Sequence, residues 1–193
     1  MAGLVILGVL LVAAVTLVAV GASREKRVDE DERVRGLRTW AAEHRWSFAE
    51  GDLGVPWRAR VGRDGLRVRE LLTGQVGSLP ASLGHGTYPT RRVITDAEGR
   101  KRTETVTNHL TVLVVHLDER PGAPLQAESD LPDATRDRLS SDLIRAHLDD
   151  EPPLWSLRRG ELMVVRYSPL HPSDLDEHLG TIRRLAGLLG DPP

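Results

Sequence analysis

Cysteine is missing from this chain altogether. Its absence removes disulfides, thiolate zinc sites, iron–sulfur centres and cysteine nucleophiles from consideration together. Aromatic side chains are also scarce, with one Phe and two Tyr beside four Trp in 193 residues. Trp40, Trp46, Trp57 and Trp155 are therefore expected to fill the core rather than to form a ligand platform. Lys26 and Lys101 are the only lysines among 26 basic residues. A GC-rich codon bias produces that balance, so the arginine count by itself is not a sign of phosphate recognition. Charge of one sign is lacking too: the net charge is −2, without the positive field of a nucleic-acid binder. Walker A, G-x-G-x-x-G, EF-hand, H-E-x-x-H and G-x-S-x-G patterns do not occur. No cofactor, metal site or catalytic residue is implied by motif.

What is present is an unbroken apolar run at residues 3–22, GLVILGVLLVAAVTLVAVGA. About 20 helical residues at ~1.5 Å each span the ~30 Å hydrocarbon layer of a bilayer. No Lys or Arg precedes the run and its apolar core is long for a signal peptide, which favours an uncleaved anchor over residues 1–23. Val20-Gly21-Ala22 still resembles a cleavage site, so removal after Ala22 is the alternative. Gly3 and Gly8 lack G-x-x-x-G spacing and imply no oligomer. Arg24, Lys26 and Arg27 flank the run on its C-terminal side, followed by Arg33, Arg35 and Arg38. The positive-inside rule thus expects a single-pass protein in the cell membrane with its soluble domain in the cytoplasm.

After the anchor, helical spacing of Val34, Leu37 and Ala41 predicts a charged juxtamembrane helix over 24–45, packed on the domain or standing off as a stalk. A soluble domain over 46–193 follows, large enough for one core. Trp46-Ser-Phe48 begins to alternate like a strand, and Gly51, Asp52, Gly54 and Pro56 interrupt regular structure. Trp57–Val61 and Leu66–Arg69 read as a hairpin around Asp64-Gly65, and Thr73–Pro89 as loop or irregular strand. Arg91–Thr95 and Thr103–Leu117 read as a second hairpin, with Leu110–Leu117 the central strand. A helix is expected over Asp133–Leu148, and a third hairpin around Arg159-Gly160. A final helix carries the stripe Leu175, Leu179, Ile182, Leu185, Ala186 and Leu189, with Pro172 in its first turn. The class is α+β: an N-terminal transmembrane helix, then a mostly antiparallel sheet with two flanking helices.

The order of these parts, with Trp40-Ala-Ala-Glu-His-Arg-Trp-Ser-Phe48, Leu71-Leu-Thr-Gly74, Thr111-Val-Leu-Val-Val-His-Leu117 and Gly160-Glu-Leu-Met-Val-Val165, resembles a family of actinobacterial membrane-anchored or secreted proteins of unknown function. The resemblance implies an architecture and brings no catalytic residue with it.

Seven histidines make metal binding the first chemistry to weigh. His109 and His116 are an odd number of residues apart on one strand and so point to opposite faces. His171 and His178 are two helical turns apart, too far to share an ion. Gly84-His85-Gly86 lies in the segment read as a loop, near Ser78 and Ser82, and offers an imidazole for acid–base work. An exposed, flexible loop histidine is the plainer reading. Arg100, Lys101 and Arg102 form a basic hairpin tip that serves either as a lipid contact, at about 1 kcal/mol per basic residue near an anionic surface, or as a charged turn that discourages edge pairing. The chain thus reads as a membrane-tethered, non-catalytic binding or scaffolding domain. Its expected partners are the bilayer through residues 3–22 and a protein at the membrane. The alternative is a membrane-anchored hydrolase using Gly84-His85-Gly86.

Overall fold

The computed structural model of the protein describes residues 28–96, 98–117, 125–127 and 154–190. The apolar run at 3–22, the basic flank Arg24, Lys26 and Arg27, the site after Ala22 and the helix expected over Asp133–Leu148 lie outside them. Among the described residues no helix is long and apolar enough to cross a membrane.

Helix α1 occupies residues 28–43. Arg45 takes a left-handed conformation (φ 59°), and the Trp46 N–H donates to the Ala41 carbonyl at 2.7 Å, closing the helix two residues before the expected boundary at 45. The strands are β1 (Ser47–Leu53), β2 (Arg67–Val76), β3 (Leu79–Thr95), β4 (Lys101–His116), β5 (Leu125–Ala127), β6 (Leu154–Arg158) and β7 (Glu161–Arg166). A short helix α2 (Arg58–Val61) lies between β1 and β2, and α3 (Leu175–Gly190) ends the described chain. The strands form one sheet, β1-β2-β3-β4-β7-β6-β5, with every pairing antiparallel. An α+β domain built on an antiparallel sheet is therefore what this sequence makes, with Leu110–His116 in the middle strand.

The two faces of the sheet bury different partners. On the upper face, Leu37, Trp40 and Ala41 of α1 and Leu175, Ile182 and Leu185 of α3 pack onto Leu72, Leu83, Leu113 and Val164. Complete burial of each leucine there contributes about 1.5–3 kcal/mol relative to exposure. Helix α1 is thus part of the core and not a stalk. On the lower face, Trp57 and Leu66 cover Val68, Tyr88, Leu110, Val112 and Val114. Arg60 of α2 fastens this layer, with Nη1 donating to Oε2 of Glu161 at 2.8 Å and Nη2 to Oγ of Ser156 at 3.0 Å. All four tryptophans are buried.

Two local expectations are corrected. Trp57–Val61 is not a strand paired with Leu66–Arg69, because its residues form the turn and helix α2 that cap the lower core. Thr73–Pro89 is not a loop either. It is the end of β2, a two-residue turn at Gly77-Ser78, and the first half of β3. Its strand glycines are there for packing: a Cβ on Gly74 would fall 2.4 Å from the Trp46 ring, and one on Gly84 would fall 2.6 Å from the Trp57 ring. With so few Phe and Tyr, bulky indoles fill the core and need bare backbone opposite them.

The hairpin around residues 96–102 and the one at Arg159-Gly160 form as the sequence predicts. So does the final helix, preceded by a 3₁₀ turn at Pro172–Asp174. Strands β3 and β4 outrun their neighbours. The β2 pairing reaches Thr87, the β7 pairing reaches Thr111, and the outer part up to Thr95 opposite Lys101 is a two-stranded arm.

Candidate functional site

Regular alternation in β2 would place Val68, Glu70 and Leu72 on one face. It does not, because Arg69 is an extra residue between the pairs Val68–Gly86 and Glu70–His85. The bulge sends Val68 into the lower core, while Glu70 and Leu72 face the helices. Bulges of this kind gather next to functional sites, where they re-aim side chains. Alongside, β1 spends three residues from Glu50 to Leu53 against two of β2, and Gly51 there adopts φ 133°, a conformation that favours glycine.

Glu70 and His85 are directly opposed on the upper face and both are buried, at 4% and 2% exposure. His85 Nδ1 donates to Oε2 of Glu70 at 2.5 Å. Its Nε2 lies 3.1 Å from Nδ1 of His109, and the two rings are parallel within 4°. His109 sits on β4 opposite Thr87, two pairs further along than His85 and Thr111 and so on the same face. The line Glu70–His85–His109 therefore runs across three adjacent strands.

Arg33 of α1 closes this line from above. Its Nη2 reaches Oε1 of Glu70 at 3.1 Å and Oε1 of Glu30 at 2.7 Å, its Nε donates to Oε2 of Glu30 at 2.9 Å, and its Nη1 donates to the Leu170 carbonyl at 2.9 Å. One guanidinium thus ties α1, β2 and the segment before α3. Burial pulls the Arg33 pKa down, but the bonds to Glu30 and Glu70 outweigh it and hold the group above its ordinary value. The Arg33 bond holds the Glu30 carboxyl below the usual carboxylate range. Partial burial, reinforced by the neighbouring His85, pushes His109 below the ordinary histidine value.

Glu70, His85 and His109 form the floor of a cleft of about 640 Å³ between the first turns of α1 and the bulged end of the sheet. Asp31, Arg35 and Arg38 line it from α1, Glu50 from β1, Arg69 from β2 and Thr107 from β4. A carboxylate can only accept, so Glu70 fixes the proton of His85 on Nδ1. In the tautomer in which Nε2 of His85 accepts from Nδ1–H of His109, Nε2 of His109 carries no proton, and it has no partner among the described residues. The arrangement orders donors and acceptors in one direction and can take or hold a proton at its open end.

The placement of the sequence candidates changes accordingly. Gly84-His85-Gly86 is not an exposed loop. It is a central strand, with His85 in the upper layer and both glycines under Trp57 and Leu66. His85 does meet an acidic residue, but neither serine joins it. Ser78 lies in the β2–β3 turn and Ser82, three residues from His85, faces the other side of the sheet. The hydroxyls lining the cleft are those of Thr87 and Thr107. His109 and His116 do share β4 and point to opposite faces, His116 being exposed. His171 is exposed before the 3₁₀ turn, whereas His178 is buried in α3. No group of three His, Asp or Glu side chains suited to hold a metal occurs among the described residues.

At the hairpin tip, Arg100 is exposed and paired with Asp96 and Glu98 at 3.0 Å each. Lys101 and Arg102 follow at the start of β4, and Arg102 is about 23 Å from His109 by strand rise. The structure does not bring the tip and the cleft together. Arg33, Glu70 and the bulge residue Arg69 carry no motif. The available signal was the hairpin around residues 96–102, whose register, extended inwards, places His85 beside His109.

No protein-family model matches the chain, and neither a curated protein nor a solved structure does.

Proposed function

We propose that the chain is a membrane-tethered binding domain whose ligand site is the cleft between α1 and the bulged end of the sheet. The tether is the apolar run at 3–22, and the basic flank argues for a cytoplasmic domain. The observation that carries the site is the line Glu70–His85–His109 under Arg33. This buried polar network stands where leucines would pack better, and it positions His109 at the cleft. A protein partner at the membrane remains part of this reading, and the basic tip is the second candidate contact with lipid.

Native mass spectrometry of the full-length protein extracted from its own membranes tests it. A small molecule retained by the wild type and lost in His109→Leu supports the site. A bare wild-type mass, with no compound in a screened library raising thermal stability, contradicts it.

The second reading, a membrane-anchored hydrolase, is favoured by the same order of groups: a carboxylate orienting one imidazole that in turn orients another is how a general base is held. It lacks a serine in the cleft, so water would be the nucleophile and Nε2 of His109 its base. Turnover of an ester or phosphoester by wild type and not by His109→Leu would move this reading to first place.

A further inference from the structure

Most of the charges that line the cleft are matched. Arg33 holds Glu30, Arg33 and His85 hold Glu70, and Arg38 holds Glu50 at 3.0 Å. Arg35 on α1 and Arg69 at the bulge are exposed, face the same space, and make no ion pair or hydrogen bond among the described residues. Of the lining carboxylates, Asp31 alone is likewise unpaired. The cleft thus offers two free guanidinium forks against one free carboxylate, with the bare Nε2 of His109 on its floor.

We infer that the cleft binds a phosphate-type oxyanion through Arg35, Arg69 and Nε2 of His109. This rests on the cleft being the ligand site. The donors come from α1, β2 and β4, three different sides, which suits the tetrahedral oxygens of a phosphate better than the planar pair of a carboxylate. To donate to an oxyanion, Nε2 must carry a proton, so His109 becomes an imidazolium as the ligand enters. The groups that set this step are Glu30 and Arg33 from α1, Glu70 from β2 and His85 from β3, all of which act on His109. Partial burial disfavours the imidazolium in the empty cleft, and an incoming negative charge favours it. Proton uptake on binding follows, and affinity falls as pH rises.

The oxyanion can come from a soluble phosphate compound or from a phospholipid head group. Glu30 follows Ala22 by eight residues. Even a fully extended chain therefore keeps this wall of the cleft within about 29 Å of the end of the apolar run.

The test uses full-length protein with isotope-labelled histidine in phosphatidylcholine nanodiscs. Inorganic phosphate is titrated in one arm, and phosphatidylglycerol is included in the discs in the other. The expected result is a saturable shift of the His109 ring signals, with His109 titrating at higher pH when ligand is bound. Arg35→Ala and Arg69→Ala should each weaken the response about tenfold or more, and Arg92→Ala on the hairpin arm should not. A response to inorganic phosphate assigns a soluble ligand, and a response to phosphatidylglycerol alone assigns a head group. The inference is overturned if His109 is unmoved in both arms, or moves equally in the Arg35→Ala, Arg69→Ala double variant. If His109 then responds to an uncharged or cationic compound, the oxyanion is wrong and the ligand cleft stands. If compounds of every charge leave it unmoved, both fall.

Discussion

Glu70 and His85 face each other directly across β2 and β3, Oε2 to Nδ1 at 2.5 Å, beside a layer built mostly from leucine, valine, alanine and tryptophan. The pair holds its place because Arg33 supplies the opposing charge from α1. Removing that charge leaves a buried carboxylate short of a partner. Arg33→Ala is therefore expected to destabilise the protein by about 3–5 kcal/mol. Glu70→Gln, which keeps shape and one acceptor, should cost about 1–3 kcal/mol. Chemical denaturation of both variants and of the double variant measures their coupling.

Gly84 and Gly86 flank His85 yet serve the opposite face. A Cβ on Gly84 would meet Trp57 at 2.6 Å, and one on Gly86 would meet Leu66 at 2.9 Å and the Arg67 carbonyl at 3.0 Å. Either Gly→Ala change should lower stability by about 1–3 kcal/mol through overpacking. Ser82→Ala, on the same strand, should stay within about 0.5 kcal/mol. Thermal denaturation separates this packing role from the flexible-loop role that the sequence suggests.

How much of this could be read beforehand depends on whether the signal was local. The stripe on α3, the tight turn at Arg159-Gly160 and the apolar run of Leu110–Leu117 are local, and the helix, the hairpin and the central strand form as expected. Gly74 and Gly84 misled, because glycine is the residue both of loops and of strands that receive a tryptophan. The site itself depends on register. Arg33, Glu70, His85 and His109 are far apart in sequence and meet only once the β2 bulge and the β3–β4 pairing are set. No spacing rule joins residues across three strands and a helix.

His178 is buried in α3 with both ring nitrogens lacking a hydrogen-bond partner, and burial together with nearby Arg166 holds it below the ordinary histidine value. His109 is shifted the same way. Because the folded state resists protonation, the unfolded chain binds more protons once pH drops below about 6.5. Stability contributed by these groups is thus complete above that pH and is lost progressively as pH falls. Unfolding free energy measured from pH 7 to pH 5 should decline, and His178→Leu should flatten part of the decline. An equal slope in the variant would remove His178 from the account.

The hairpin tip gives a contrasting expectation. Arg100 already spends its charge on Asp96 and Glu98 in solvent, where such pairs contribute little. Replacing Arg100, Lys101 and Arg102 by alanine should change stability by about 0.5 kcal/mol or less for each. If the tip only discourages edge pairing, vesicle attachment of the full-length protein is unchanged as well. A marked loss of attachment to anionic vesicles would instead make the tip a lipid contact.

The claim on which the rest depends is that Glu70, acting through His85, decides which face His109 shows to the cleft. Nitrogen NMR of the histidine rings in the full-length protein tests it most directly, in wild type and in Glu70→Gln. The account predicts a proton on Nδ1 of both His85 and His109 near neutral pH, a bare Nε2 on His109, and a changed tautomer balance in the variant. A His109 that titrates like a solvent-exposed histidine, with the same tautomers in both proteins, would contradict it.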